Sequence, residues 1–394
     1  MSILSKFNNI KLKKCFNKAI KLYREGKYEK SIEICSYLIN KDFNIVECYN
    51  LLFEIYDVMG DLDNALLHLN NSLKLKPDDI DNIINKGIVL YELDKNDEAL
   101  EYYNNALLID DTHDYARVGK LTILIEQEKY NEAKNFYNSI IINTNNSYIL
   151  NKYATLLYIL NILDDALKYS NQSLEIDNNP KYWNTKGLIL EGLKNYNEAL
   201  KFFNKSIKHD PEDIDAIVNK GSLYIKLSEY ENALNCFDKA LKIDPHCVDC
   251  WVNKSVTYYK LKDYENLELC INRALELDSN DSNNWNKKGL FLDEVGRYDE
   301  ALICFDKALK IKPKAINSLI NKSNTLLSLN QLNEALNVID NALDIDSDCQ
   351  DAALVKVKIL RELGKDSEAD ILEKEAEDMS EIEDRPLIPG KLFY

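Results

Sequence analysis

Tyr196-Asn197-Glu198-Ala199-Leu200, Tyr230-Glu231-Asn232-Ala233-Leu234 and Tyr298-Asp299-Glu300-Ala301-Leu302 are three versions of one phrase, with their alanines 34 and then 68 residues apart. Following that step in both directions, with a shortening between Ala133 and Ala199, gives Ser31, Ala65, Ala99, Ala133, Ala166, Ala199, Ala233, Leu267, Ala301, Ala335 and Ala369. Nine of these eleven positions are alanine. Twelve residues before each lies a second slot: Ala19, Phe53, Gly87, Leu121, Ala154, Gly187, Gly221, Ser255, Gly289, Ser323 and Val357, small at eight positions. Small residues recurring at two fixed places let two helix axes approach closely, and bulky neighbours such as Trp183, Phe203, Phe237, Trp251, Trp285 and Phe305 fill the space around them.

Apolar residues recur at helical spacing in both halves of each repeat, as in Leu234, Phe237 and Leu241 or Leu302, Phe305 and Leu309, which predicts two amphipathic helices. Pro77, Pro211, Pro245 and Pro313 fall where the second helix must stop. Each repeat therefore reads as an antiparallel helical hairpin. One hairpin cannot bury its own apolar face, so successive hairpins must stack.

The stretch Trp285-Asn286-Lys287-Lys288-Gly289, continuing through Leu292, Gly296, Tyr298, Ala301, Phe305, Ala308 and Pro313, resembles the tetratricopeptide repeat family. That family's pattern is Trp-x2-Leu-Gly-x2-Tyr, Ala-x3-Phe and Pro on a 34-residue period. The resemblance implies an all-α, right-handed superhelical solenoid of antiparallel helix-turn-helix hairpins. It covers residues 12–383 as about eleven repeats, whose degenerate first and last members act as caps; residues 1–11 form a lead-in and 384–394 a C-terminal tail. The wording of the repeats is similar to the long arrays of methanogenic archaea.

The rest of the composition narrows the function. The 66 acidic side chains outnumber 49 basic ones, a net charge of −17, so the averaged field opposes binding to nucleic acid or anionic lipid. No stretch approaches the roughly 20 apolar residues of a membrane span, and Met1 to Ile10 lacks a signal-like apolar core. The expectation is a cytoplasmic protein. Nine cysteines in 394 residues are too sparse for a disulfide scaffold and read as packed free thiols in a reducing compartment. A lone C-x-x-C, Cys247 with Cys250, has no second pair to complete a structural zinc site. No phosphate-cradling glycine loop or H-E-x-x-H occurs, so neither catalysis nor a cofactor or metal is expected.

What remains is an interaction scaffold for protein partners, with a co-chaperone or assembly factor and a regulatory subunit of a separate enzyme as alternatives. In the family the first helices line a concave groove. Register places Ile84, Asn85, Ile88, Tyr91, Val118, Tyr148 and Tyr158 on that face early in the chain, and Asn219, Asn253, Asn286 and Asn321 later. An extended peptide or a partner helix is the expected ligand. The family's carboxylate clamp is incomplete: Asn253 and Lys287 match two of its parts, but Val218, Ser222 and Asn283 replace others.

Lysine stands immediately before the small slot at Lys18, Lys86, Lys120, Lys186, Lys220, Lys254, Lys288, Lys322 and Lys356. Its methylene stem can cover the interface while the ammonium reaches water, or the row can meet an acidic partner. The acidic stretch from Glu375 to Asp384, followed by Arg385 to Tyr394 with its two prolines, reads as a disordered tail, with docking on the last hairpin as the alternative.

Overall fold

The structure is a computed structural model that describes residues 3–378. Residues 379–383 of the array and the tail at 384–394 lie outside that range. Among the described residues there are 22 helices and no strand. They fall into two compact units, the first ending at Asp177 and the second beginning at Asn178.

The first unit holds five hairpins: α1 (Ile3–Arg24) with α2 (Tyr28–Ile39), α3 (Ile45–Val58) with α4 (Leu62–Leu75), α5 (Ile80–Glu92) with α6 (Asn96–Ile109), α7 (Asp114–Glu126) with α8 (Tyr130–Ser139), and α9 (Ser147–Ile159) with α10 (Leu163–Ile176). The second holds six: α11 (Pro180–Gly192) with α12 (Tyr196–His209), α13 (Ile214–Lys226) with α14 (Tyr230–Ile243), α15 (Val248–Leu261) with α16 (Tyr264–Leu277), α17 (Ser282–Glu294) with α18 (Tyr298–Ile311), α19 (Ile316–Ser328) with α20 (Leu332–Ile345), and α21 (Gln350–Glu362) with α22 (Asp366–Asp378). Within each unit the helices pack chiefly on their hairpin partners and then on the next hairpin; α7, whose partner α8 is short, packs more on α6. Residues 3–11, read from sequence as a lead-in, are the opening turns of α1.

The two small slots touch, as two hydrogen bonds show. Where serine replaces the second-helix alanine, the Ser31 hydroxyl donates to the Ala19 carbonyl at 2.8 Å. Where it replaces the first-helix glycine, Ser323 donates to the Ala335 carbonyl at 2.9 Å. Aromatic rings close the same contact: a Cβ added to Gly187, Gly221 or Gly289 would stand 2.5–2.6 Å from Phe203, Phe237 or Phe305, all three fully buried. The departures compensate in volume. The eighth hairpin has Leu267 in place of alanine but Ile271 where its neighbours have phenylalanine, and the second has Phe53 in the small slot opposite Leu69.

Every turn inside a hairpin is built alike. One residue adopts left-handed backbone at the same register position in all eleven: Gly26, Gly60, Asp94, Glu128, Asn161, Lys194, Ser228, Lys262, Gly296, Asn330 and Gly364. The next residue's N–H bonds back to a carbonyl of the first helix, as in Lys95 to Leu90, Asn195 to Leu190 and Arg297 to Leu292, at 2.8–2.9 Å. This satisfies carbonyls that the helix end would otherwise leave open. In seven hairpins a non-glycine residue bears the left-handed conformation, which costs roughly 1 kcal/mol each. The repeat step shortens to 33 residues twice, from Ala133 to Ala166 and from Ala166 to Ala199, the first time where α8 ends early at Ser139. Residues 140–146 are not helical, and buried Arg117 holds them through the Ile141 carbonyl at 3.0 Å.

Two substitutions separate these constraints. Lys194→Gly should raise stability by about 1 kcal/mol, because it removes left-handed strain at an exposed turn. Gly289→Ala gains about 1 kcal/mol of helix propensity but overpacks an immobile ring by about 1–3 kcal/mol, so it should destabilise. Urea unfolding of both variants against wild type measures the two signs.

Candidate functional site

The register that packs the hairpins leaves one face of each first helix off the packing stripe. In the first unit this face is partly closed. Ile84 is 3% exposed inside the core formed with Ala99, Tyr103 and Ala106, and Tyr158 is 8% exposed. Asn85, Ile88, Tyr91 and Val118 are half-buried, while Tyr148 is 48% exposed. Tyr115, which holds in the preceding hairpin the place Tyr148 holds in its own, is 44% exposed and was not singled out from the sequence. Its signal there is its spacing of 33 residues from Tyr148, across the shortened step.

Carboxylates accompany these tyrosines. The Tyr91 hydroxyl donates to the Glu126 carboxylate, and burial together with that bond pushes its pKa up to about 12. Burial raises Glu54, and burial with the Asp57 charge raises Glu92.

In the second unit the four asparagines are half-buried, and three of them take part in amide–amide bonds. Asn219 Nδ2 donates to Asn184 Oδ1 at 3.1 Å, and Asn321 Nδ2 donates to Asn286 Oδ1 at 3.0 Å. Each bond spans 35 residues, one repeat plus one position. The same offset joins Tyr91 to Glu126 in the first unit. It also joins Glu191 to Lys226 at 2.5 Å and Tyr259 to Glu294, whose hydrogen bond and the burial of the ring push Tyr259 up to about 12. Successive first helices thus run side by side with a one-position offset, stitched by polar pairs. An amide pair uses one donor and one acceptor and leaves others open to a ligand. Asn253 lies between these pairs, and half-buried Lys287 has its pKa lowered by burial despite Asp281 and Asp249.

The lysine row has internal partners. In three hairpins the ammonium sits over a ring sixteen residues later: Lys86 on Tyr102 at 4.2 Å, Lys120 on Phe136 at 4.5 Å and Lys186 on Phe202 at 4.4 Å. In four others it bonds a residue sixteen positions earlier, on the preceding hairpin: Lys254 to Asp238, Lys288 to Asn272, Lys322 to Asp306 and Lys356 to Asp340, at 2.6–2.8 Å. The acids are half-exposed, so each pair contributes at most about 1 kcal/mol. The row therefore binds within hairpins at three positions and between hairpins at four.

The reading of all cysteines as free thiols requires a correction. Cys247 and Cys250 form a disulfide, because residues three apart in the first turn of α15 bring their sulfurs together. The other seven are free. Among the described residues no group of three or more His, Cys, Asp or Glu side chains could hold a metal ion. No helix among them is long and apolar enough to cross a membrane.

Eleven hairpins with two interlocking small slots define a helical-repeat protein of the scaffold type. The family model for the Cilia and flagella-associated protein 70 C-terminal domain matches residues 151–385, more than half the chain, and that for a tetratricopeptide repeat matches residues 80–113. The chain belongs to the tetratricopeptide repeat family. Neither model is that of a catalytic family, and this fold commonly mediates contacts between proteins. Among solved structures, yeast Tom70 is similar at a TM-score of 0.53 and 17% identity, over 95% of this chain and 93% of that one. A tetratricopeptide repeat protein from Parabacteroides merdae gives 0.48 and 18%, over 59% and 93%; the Cut9-Hcn1 tetramer of the APC/C gives 0.45 and 14%, over 93% of each chain. No curated protein matches the sequence.

The Glu191–Lys226 pair yields a test with a definite sign. Burial raises the Glu191 pKa and Lys226 only partly offsets it, so the folded chain holds that proton more tightly than the unfolded chain. Its stabilising contribution is present at pH below the ordinary carboxylate range and is lost as pH climbs through the raised value. Glu191→Gln carries no such dependence. The Tm of wild type relative to this variant should therefore fall between pH 4 and pH 7, and a constant or rising difference would mean that the lysine outweighs burial.

Proposed function

We propose that this chain is a non-catalytic, cytoplasmic protein–protein interaction scaffold that takes an extended peptide or a partner helix along its first-helix faces. The observation that carries this reading is the contrast on those faces between stitched and open groups. Polar pairs at the 35-residue offset hold the helices in place, while Tyr115 and Tyr148 stay exposed on successive hairpins. A preorganised surface loses little entropy on binding, and tyrosine supplies contact area with few rotatable bonds. Ile88, Tyr91 and Val118, on the same face of the first helices, favour an apolar segment of the ligand. The amide pairs of the second unit favour backbone N–H and C=O groups. Ile84 and Tyr158 support the surface from beneath. The lysine row is engaged by rings of its own hairpins and by side chains of preceding ones, which disfavours a basic docking strip.

Partners captured on the full-length chain provide the ligand for the test. Tyr115→Ala with Tyr148→Ala should weaken binding about 10-fold or more without moving the melting curve, because both rings are exposed. Asn219→Ala with Asn253→Ala should weaken it separately, with a stability loss near 1 kcal/mol from the broken Asn184 contact. If both double variants bind as wild type does, the partner uses another face.

A further inference from the structure

The slot just before each first helix is an N-cap, and five hairpins fill it with an oxygen acceptor. Asp79, Asn146, Asn179, Asp213 and Asp281 each accept a backbone N–H of the first turn through the side chain. In α15 the acceptor is sulfur: the Cys250 N–H donates to Cys247 Sγ at 3.3 Å. The site thus offers a sulfur anion both a free N–H and the positive end of the helix dipole, the two features that favour thiolate over thiol. Three residues on, where other hairpins carry Asn82, Ala216 or Ala352, stands a second cysteine. The two Cα atoms are 5.4 Å apart, within the range a disulfide requires.

Their burial differs in a way that assigns them roles. Cys247 is half-buried at the edge of the cluster formed by Ile217 and Ala240 of the preceding hairpin, whereas Cys250 is fully buried within it. The turn that carries Cys247 is held by Trp251, whose indole N–H donates to the Pro245 carbonyl at 3.1 Å, and by Asp244, which accepts the His246 N–H at 2.9 Å. Cys349 supplies an internal comparison: it fills the same N-cap slot of α21 but is buried and faces Ala352. It has neither access nor a neighbouring thiol.

We propose that Cys247 and Cys250 form a thiol–disulfide exchange site, with Cys247 as the attacking sulfur and Cys250 as the resolving one, oxidised by a low-molecular-weight disulfide. The Cys247 thiolate attacks one sulfur of the disulfide RSSR, the S–S bond breaks, and one RS⁻ leaves. Cys250 then attacks Cys247 Sγ as its proton passes to the departing sulfur, and the second RSH leaves. The protein pair gives up two electrons and two protons, and RSSR becomes two RSH. Reduction by an excess of thiol runs the same steps backward. Because the disulfide closes the first turn of α15 at a junction between hairpins, the redox state of the medium is written into the repeat stack.

The test uses the full chain, reduced and then equilibrated in buffers of reduced and oxidised glutathione, with alkylation and peptide mass spectrometry. Three results are expected: the Cys247–Cys250 disulfide appears while the other seven cysteines remain alkylatable after unfolding; iodoacetamide labels Cys247 about 10-fold or more faster than Cys250 in the native reduced chain; and Cys250→Ser accumulates a glutathione adduct on Cys247. The labelling of wild type decides the order of attack even if that variant folds poorly. A chain that keeps nine free thiols at the oxidising end of the series, or one that carries the adduct on Cys250, overturns the proposal.

Discussion

A fully buried aromatic ring on one helix resting against a residue with no side chain on the other is the contact from which the rest of the array follows. Phe203 on Gly187, Phe237 on Gly221 and Phe305 on Gly289 bring the two helices of a hairpin close enough that alanine alone fits twelve residues later. That closeness fixes the hairpin angle, and the angle fixes which face of each first helix turns away from the packing. Where one member of the contact grows, another shrinks, as with Phe53 over Leu69 or Leu267 beside Ile271. The constraint is on total volume, and it tolerates redistribution.

The polar contacts repeat with the same regularity but are chemically varied. At the 35-residue offset an amide pair, a tyrosine–carboxylate pair and a lysine–glutamate pair occupy equivalent places. At the lysine slot a ring serves early in the chain and a carboxylate later. Geometry that recurs with changing chemistry shows what the place requires: a favourable contact across a fixed gap. Such pairs contribute little individually. Their effect is to hold neighbouring helices in one arrangement, which a binding surface made of stacked helices needs.

The proposed contacts lie where the repeat departs from itself. Tyr115 and Tyr148 stand exposed on either side of the shortened step, where α8 ends early and Arg117 holds the segment that follows. Cys247 caps with sulfur where five other hairpins cap with oxygen, and Cys250 lies beneath it. A position that obeys the pattern is explained by packing, while one that breaks it without harm to the core is free to meet a partner.

The sequence by itself determined the hairpins, their number and the two small slots, because these depend on residue size at a fixed spacing and spacing is visible in one dimension. The turns were half visible: glycine at four of eleven positions marks the slot, but Lys194 or Glu128 in left-handed backbone has no signature of its own. Only the tertiary structure decided where the polar side chains went. Whether Lys86 lies on Tyr102 of its own hairpin or Lys322 reaches Asp306 of the preceding one depends on distances between helices that sequence position does not contain. The same holds for Tyr158 and Ile84, placed on the open face by register yet covered by neighbours, since helical periodicity gives the direction of a side chain but not what stands in front of it.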